Sequence, residues 1–330
     1  MPARNALRAT LALGALMILL VPFRGEGGTP VSVMLQWVPQ AQFAGFYVAQ
    51  DQGFYARRGL DVRLEHGGPH RDSAQALEEG EADFATLFLA TALVHRDRGV
   101  PLMNVAQIVQ RSSLVIVGRE DRGVRSPRSL AGRRVSLWGE AFEAPYRAFF
   151  ALMDISVDAV PQHRSVNLFL RGGVDACCAM YYNEYHAIWQ AGLDENQIEP
   201  FFLRDWGIDF PEDGIYARAS TVTRSPDVAR NLAEGTLEGW RFALKSPDVA
   251  LDSVMRRVQE GGAPTNRPHM AWMLTHILPA IFPDDGGPDL PGKLSREAYL
   301  HTARILERHG IIRHIDPFES FTLDGVSRVP

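Results

Sequence analysis

The sequence predicts an α/β protein built as two lobes with a crevice between them. From residue 30 onward, short β-rich runs alternate with helical stretches, a pattern typical of sheets with parallel strands. One segment also repeats, because residues 77–83 recur in pattern as residues 169–175. Each copy places a glycine at the end of a helical stretch and an aspartate before a short apolar strand. Two copies of this unit indicate two lobes built on one plan.

The composition narrows the function classes. The chain has 330 residues, 46% hydrophobic and 22% charged, which are ordinary values for a globular protein of about two domains. Its net charge of -5 argues against a nucleic-acid partner, which would require a basic face. The two cysteines, Cys177 and Cys178, are adjacent and so provide neither a disulfide framework nor a four-cysteine zinc site. We expect both to be buried thiols in a central strand.

Residues 1–28 predict export. Arg4 and Arg8 precede an apolar run over residues 9–21 that ends at Pro22. A basic start followed by about 7–15 apolar residues is typical of a secretory signal, and the run is shorter than the ~20 residues of a membrane span. No cysteine follows it, which excludes a lipoprotein anchor. We expect a periplasmic protein, and both removal of the segment and its retention as an anchor stay open.

Residues 30–118 are expected to form the first part of the first lobe. The hydrophobic patterns predict strands at 31–35, 60–66, 84–86, 105–109 and 114–117, and helices at 42–58 and 72–79. The strand at 60–66 alternates apolar and charged residues. Gly80 closes the helix at 72–79.

Residues 119–212 are expected to form the second lobe, and residues 213–330 to return to the first lobe and then form a helical block. The second lobe begins with a strand at 135–138 and a helix at 141–153, and the strand after the repeat spans 176–179. A strand at 213–217 is expected to return to the first lobe. Helices follow at 225–244, 247–260, 267–281 and 295–309, with a proline- and glycine-rich loop at 282–292.

Enzyme motifs are absent from the sequence. It contains no nucleophile elbow, P-loop, dinucleotide-binding glycine fingerprint or helical zinc-protease motif. His66 and His70 are four residues apart, but they lie on a Gly/Pro loop, where the argument from one helix face fails. Ordinary loop histidines are the favoured interpretation. We predict neither a metal nor a cofactor.

Aromatic residues stand beside polar ones where three predicted strands end. The carboxyl ends of strands face the ligand crevice in open α/β sheets. An aromatic face beside an amide or carboxylate suits a flat heteroaromatic ring, through stacking and directional hydrogen bonds. The alternative is that individual members, such as Trp37 or Tyr181, fill the core. The candidate ligand-binding residues are Gln36, Trp37, Trp138, Glu140, Tyr181, Tyr182, Asn183 and Glu184.

Several stretches carry a family resemblance, at residues 35–49, 53–62, 80–84, 129–135, 179–186 and 210–216. There the chain resembles the NMT1/THI5-like periplasmic substrate-binding proteins, relatives of sulfonate- and nitrate-binding components of ABC importers. The resemblance implies a two-lobed type II periplasmic binding protein fold with a hinge and an inter-lobe ligand cleft. It further implies a ring held between Trp37 and either Tyr181 or Tyr182, with Gln36 at an asparagine position of the pyrimidine binders and Glu184 as the carboxylate partner.

The expected function is that of a monomeric, non-catalytic solute-binding protein. It would deliver a flat heteroaromatic vitamin precursor, the thiamine pyrimidine or a riboflavin-like ring, to a separate ABC permease and ATPase. One alternative is a pyrimidine synthase-like enzyme, but the positions of its lysine and histidine fall near Leu87 and Thr91 here. Leucine cannot form a Schiff base with pyridoxal phosphate. Two further alternatives are a ligand-sensing module for a membrane receptor and a carrier of a sulfonate or nitrate.

Overall fold

Two five-stranded sheets organise the chain. A computed structural model describes residues 27–139, 142–283 and 292–323. Residues 1–26 of the predicted export segment and the candidate residue Glu140 lie outside the described residues. Among those described, no helix combines the length and the apolar character needed to cross a membrane.

The strands alternate with helices along the chain, which confirms the predicted α/β class. The strands are β1 (Thr29–Leu35), β2 (Leu60–His66), β3 (Phe84–Phe88), β4 (Leu102–Gln107), β5 (Leu114–Arg119), β6 (Arg134–Leu137), β7 (Asp158–Pro161), β8 (Ala176–Met180), β9 (Ile198–Phe202) and β10 (Asp213–Arg218). The helices are α1 (Ala44–Asp51), α2 (Ser73–Glu79), α3 (Leu89–Asp97), α4 (Glu143–Met153), α5 (Asn167–Leu170), α6 (His186–Gln190), α7 (Ala219–Arg224), α8 (Pro226–Lys245), α9 (Pro247–Glu260), α10 (Arg267–Ile281), α11 (Arg296–Arg308) and α12 (Phe318–Phe321).

Both sheets have the same plan. The first sheet, which defines the first lobe, has the order β2-β1-β3-β10-β4, and the second, which defines the second lobe, has the order β7-β6-β8-β5-β9. In the first sheet β1 is parallel to β2 and β3 but β10 is antiparallel to its neighbours, and in the second sheet β5 is likewise reversed. The sheets are therefore mixed: four strands of each run in the predicted common direction, but only three of them pair with one another in parallel.

The reversed strands are those by which the chain changes lobe. After β4 it crosses over residues 108–113 and enters the second sheet as β5, and after β9 it crosses back over residues 203–212 and enters the first sheet as β10. The predicted end of the first segment at residue 118 is therefore wrong, because β5 pairs with β8 and β9. An apolar strand such as β5 reads the same in either sheet, so its sequence alone does not assign it to a lobe.

The repeated segment explains the common plan. Its two glycines have left-handed backbones, with φ of 79° at Gly80 and 70° at Gly172, which end the preceding helical stretches. Asp83 accepts a hydrogen bond from the backbone N–H of Ser32 in β1, and Asp175 accepts one from the N–H of Arg134 in β6. Each aspartate thus ties a central strand to its parallel neighbour. The repeat predicted from sequence is confirmed.

The helical predictions hold best where the amphipathic pattern is long. The bounds of α8, α9, α10 and α11 agree with the predicted helices within one residue at each end. The predicted helix at 42–58 instead breaks into α1 and two short 3₁₀ turns, at Ala41–Phe43 and Ala56–Arg58. The elements that were not predicted are strands β7 and β9 and helices α3, α6, α7 and α12.

Candidate functional site

A narrow cleft with a cavity volume of about 30 Å³ lies between the lobes at the carboxyl ends of β1, β3, β6 and β8. Both lobes contribute to its walls. The lining residues are Gln36, Trp37, Gln40, Gln42 and Phe88 from the first lobe, and Trp138, Phe142, Met180, Asn183 and Glu184 from the second. The structure thus brings together five of the eight residues that the sequence singled out.

Equivalent hydrogen bonds hold the chain where it leaves β1 and β6. The backbone N–H of Gln36 donates to the hydroxyl of Thr86 over 2.8 Å, and the N–H of Trp138 donates to Sγ of Cys178 over 3.3 Å. The prediction of buried thiols in a central strand is confirmed, because Cys177 and Cys178 are both buried in β8. Burial raises the pKa of Cys178 well above its ordinary value, so this sulfur remains a thiol.

An aromatic cluster forms one wall of the cleft. The ring of Phe142 lies 5.6 Å from Trp37, 5.2 Å from Phe88 and 6.0 Å from Trp138, measured between centroids. All three contacts are edge-to-face, an arrangement favoured by the ring quadrupoles. Since Trp37 and Phe88 belong to the first lobe and the other two to the second, this wall is assembled only when the lobes meet.

Neither tyrosine that was expected opposite Trp37 lines the cleft. Tyr181 points toward α10, with its ring 6.1 Å from Trp272. Tyr182 is 1% exposed and lies in the core. The reason is local: residues 181–185 form a π-helical turn rather than continuing the alternation of β8. The predicted position of Tyr181 and Tyr182 is therefore wrong, and Phe142 supplies the second-lobe ring beside Trp37.

A buried carboxylate underlies the first-lobe side of the cleft. Asp213, at the start of β10, accepts hydrogen bonds from the side-chain amides of Gln36 and Gln42. Burial raises its pKa to about 7, although both amide hydrogen bonds favour the charged form. The amides therefore lie between the acid and the cleft.

A second carboxylate faces the cleft from the other lobe. One oxygen of Glu184 accepts from the N–H of Met180 over 2.9 Å, and the other accepts from the side-chain amide of Asn183 over 2.8 Å. Burial raises the pKa of Glu184 to about 7. This predicted residue is therefore a buried carboxylate in the cleft wall, with one hydrogen-bond partner on each oxygen.

The sequence interpretation missed Gln40, Gln42, Phe88, Phe142 and Asp213. Gln40 and Gln42 carried a usable signal, because the sequence alternates these two amides with apolar Ala41 and Phe43, and the structure buries both amides. The other three gave no comparable signal, since their roles depend on which strand ends meet.

His66, the last residue of β2, forms a hydrogen bond with the backbone of Trp37. Nδ1 of His66 donates to the carbonyl oxygen of Trp37 over 3.1 Å, while Nε2 faces the Tyr47 hydroxyl at 3.5 Å. Within the described ranges, no group of three histidine, cysteine, aspartate or glutamate side chains is placed to hold a metal ion.

Two relatives are named as binding proteins. The chain is 24% identical over 247 residues to the formylaminopyrimidine-binding protein of Halalkalibacterium halodurans, covering 71% of this chain and 72% of that protein. It is 22% identical over 239 residues to the riboflavin-binding protein RibY of Chloroflexus aurantiacus, covering 70% and 67%. By contrast, the 4-amino-5-hydroxymethyl-2-methylpyrimidine phosphate synthase of Uromyces fabae is 27% identical over only 111 residues, 33% of either chain.

The fold is shared with solved periplasmic binding proteins. The periplasmic aliphatic sulphonate-binding protein SsuA of Escherichia coli superposes with a TM-score of 0.66 at 12% identity, covering 89% of this chain and 97% of that one. This confirms the predicted periplasmic binding protein fold. The NMT1/THI5-like family matches residues 40–250, well over half of the chain, and the protein therefore belongs to that family.

Proposed function

We propose that the protein is the solute-binding component of an ABC importer and takes a flat heteroaromatic vitamin precursor into its inter-lobe cleft. The thiamine pyrimidine and a riboflavin-like ring are the ligands that the site suits. One observation carries the proposal. A single cleft combines an aromatic wall and side-chain amides from both lobes with a carboxylate from the second lobe. In this role the chain acts in the periplasm as a monomer and passes its ligand to a separate permease and ATPase.

The charge of the lining favours a neutral or amine-bearing ring over an anion. Glu184 lines the cleft itself, whereas Arg71 and Arg164 line the adjoining grooves that share Trp37 with it. A sulfonate or nitrate site would favour arginines and helix N-termini over a carboxylate and aromatic rings. Glu184 and the oxygens of the glutamine side chains instead offer acceptors to ring N–H or amino groups.

The same lining supports carriage without transformation. Attachment of pyridoxal phosphate needs a lysine, and the described lining contains none. A ligand that contacts both lobes binds the closed state more tightly than the open one, so it shifts the population toward closure. Closure then marks the loaded protein for the permease.

Calorimetric titration tests this function. The chain would be titrated with 4-amino-5-hydroxymethyl-2-methylpyrimidine, its formylamino analogue, thiamine and riboflavin, with an aliphatic sulfonate as the anionic comparison. We expect saturable binding of at least one ring compound and none of the sulfonate. Binding of the sulfonate alone would overturn the proposal.

Trp37→Ala locates the binding event. Loss of its ring face is expected to weaken binding by about 1–3 kcal/mol, roughly 5- to 150-fold. Trp206→Ala is the matched control, because Trp206 is 41% exposed and absent from the lining. Equal affinities of the two variants would remove Trp37 from the site.

A further inference from the structure

The π-helical turn and the first residue of α6 direct their side chains to two different surroundings. Asn183 and Glu184 face the cleft, whereas Tyr181 and His186 face α10. Helix α10 packs on α9 and on the turn at residues 41–43 of the first lobe, and also on the π-helical turn and α6 of the second. It therefore bridges the lobes beside the cleft, and the lobes separate only if α10 leaves one of them.

Stacked rings hold α10 to the second lobe. The His186 ring lies parallel to Trp272, with centroids 4.4 Å apart and 4° between the planes. It is also parallel to His269, at 5.0 Å and 3°. The facing Nδ1 atoms of the two histidines are 2.7 Å apart, so one donates a hydrogen bond to the other.

From this histidine pair a chain of hydrogen bonds crosses the cleft to the first lobe. Nε2 of His269 lies 2.9 Å from Oδ1 of Asn183, and Nδ2 of Asn183 lies 3.5 Å from Oε1 of Gln40. Two further hydrogen bonds complete the chain. The side-chain amide of Gln40 donates to that of Gln42 over 2.5 Å, and the amide of Gln42 donates to the carboxylate of Asp213 over 2.8 Å.

The carboxylate fixes the direction of the whole chain. Above its pKa of about 7 Asp213 is ionised and only accepts, so in that range each amide donates toward it and accepts from the group behind it. By this order Oδ1 of Asn183 accepts from Nε2–H of His269, whose Nδ1 accepts from Nδ1–H of His186. A proton added to Nδ1 of His269 would force His186 out of its Nδ1–H tautomer and place a positive charge on a buried ring that shares a groove with Arg164.

We propose that His269 is a positioning residue that orients the Asn183 amide in the cleft and, with His186, clasps α10 to the second lobe, and that protonation of His269 releases this clasp. The clasp consists of His186, His269, Trp272 and Asn183. It goes beyond the proposed function because it links lobe closure to pH without reference to any ligand.

The surroundings of His269 disfavour its charged form. Burial and the neighbouring His186 lower its pKa from 6.5 to about 4, and His186 in turn lies near His276. Arg164 lines the same surface groove as His269 and adds positive charge. The acidic side chain on this side is Glu184, which accepts a hydrogen bond from the same Asn183 amide that contacts His269.

The sign of the pH effect follows from this lowered pKa. The clasp is intact above pH 6.5 and is lost progressively as the pH falls from 6.5 toward 4. If released His269 titrates normally, the ratio of clasped to released protein falls up to about twentyfold between pH 7 and pH 5. Glu184 and Asp213, both with a pKa raised to about 7, act in the opposite direction, because a raised pKa favours the state that buries the acid at lower pH. A variant is therefore needed to isolate His269.

His269→Gln makes that separation. Glutamine offers one donor to Asn183 and one acceptor to His186 but takes up no proton in this range. Small-angle scattering of the ligand-free protein between pH 8 and pH 5 reports lobe separation. We expect the acid expansion of the wild type to be reduced in His269→Gln, and His269→Leu to be expanded already at pH 7.5. His314→Gln, at an exposed histidine near the end of α3, is the control and should behave as wild type.

Nitrogen-15 spectra of the histidine rings provide a second readout. At pH 7.5 we expect the Nε2–H tautomer for His269 and the Nδ1–H tautomer for His186. An unchanged acid expansion in His269→Gln, or the Nδ1–H tautomer at His269, overturns the proposal even if His269→Leu does not fold. Since no ligand is present, failure of the proposed transport function would leave this result unaffected.

Discussion

Asp213 lies beneath the cleft, and replacing it with asparagine changes how stability depends on pH. The side chain is 3% exposed, and burial raises its pKa from 3.8 to about 7. A difference of roughly three pKa units corresponds to about 4 kcal/mol. Because the native state holds a proton that the unfolded chain releases, Asp213 lowers the free energy of unfolding by up to this amount as the pH rises from about 4 to 7.

Asp213→Asn removes this titration and changes one hydrogen bond. Asparagine keeps one acceptor, but its NH₂ group faces an amide donor of either Gln36 or Gln42. A lost buried hydrogen bond costs about 1–3 kcal/mol. We therefore expect the variant to be less stable than wild type at pH 4.5, and to match or exceed it at pH 8, where the wild type buries a charge.

Urea unfolding at several values of pH between 4.5 and 8 measures the difference directly. Glu184 titrates in both proteins, so its contribution cancels in the comparison. Asp205→Asn is the control, because Asp205 is an exposed aspartate that does not line the cleft. A difference between Asp213→Asn and wild type that stays constant over this range would refute the electrostatic reasoning.

Three further predictions concern the cleft and the packing behind it. Glu184→Gln should flatten the pH dependence of ligand affinity between pH 6 and 8, measured by calorimetry, because its pKa is raised to about 7; an unchanged profile would contradict this. Gly239→Ala should destabilise by about 1–3 kcal/mol or more in thermal unfolding, since its Cβ would lie 2.0 Å from the carbonyl oxygen of Gly45; a wild-type Tm would contradict it. Thr86→Val should cost about 1–3 kcal/mol by depriving the N–H of Gln36 of its acceptor, with Thr86→Ser as the control that keeps it; equal losses in both variants would argue against that hydrogen bond.

Local chemistry explains what could be predicted from the sequence. Gly80 ends a helix with a left-handed backbone, and Asp83 accepts a hydrogen bond from the neighbouring strand. Both features belong to one short stretch of sequence, so they and their second copy can be recognised from the sequence. Once two copies are found, a common sheet plan and a cleft between the strand ends follow. That is why Gln36, Trp37 and Trp138 line the cleft as expected.

The remaining site residues depend on distant parts of the chain. Asp213 reaches Gln36 across 177 residues, and no local pattern marks that pairing. The positions of Tyr181 and Tyr182 depend on a π-helical turn, which rotates the side chains away from the alternation expected after a strand. Aromatic character alone did not distinguish a ring that faces the cleft from one that faces α10.

If the protein has the proposed function, the shared plan of the lobes assigns ligand selectivity to side chains at the strand ends. The strand registers pair Val33 with Phe84 in one sheet and Val135 with Ala176 in the other, so Gln36 and Trp138 occupy equivalent positions. Their backbone N–H groups are held in the same way, but one side chain binds the carboxylate beneath the cleft and the other joins the aromatic wall. Because the backbones match, the difference between the two walls lies in the side chains. A substitution at either position should therefore change which ligand binds before it changes whether the lobes fold.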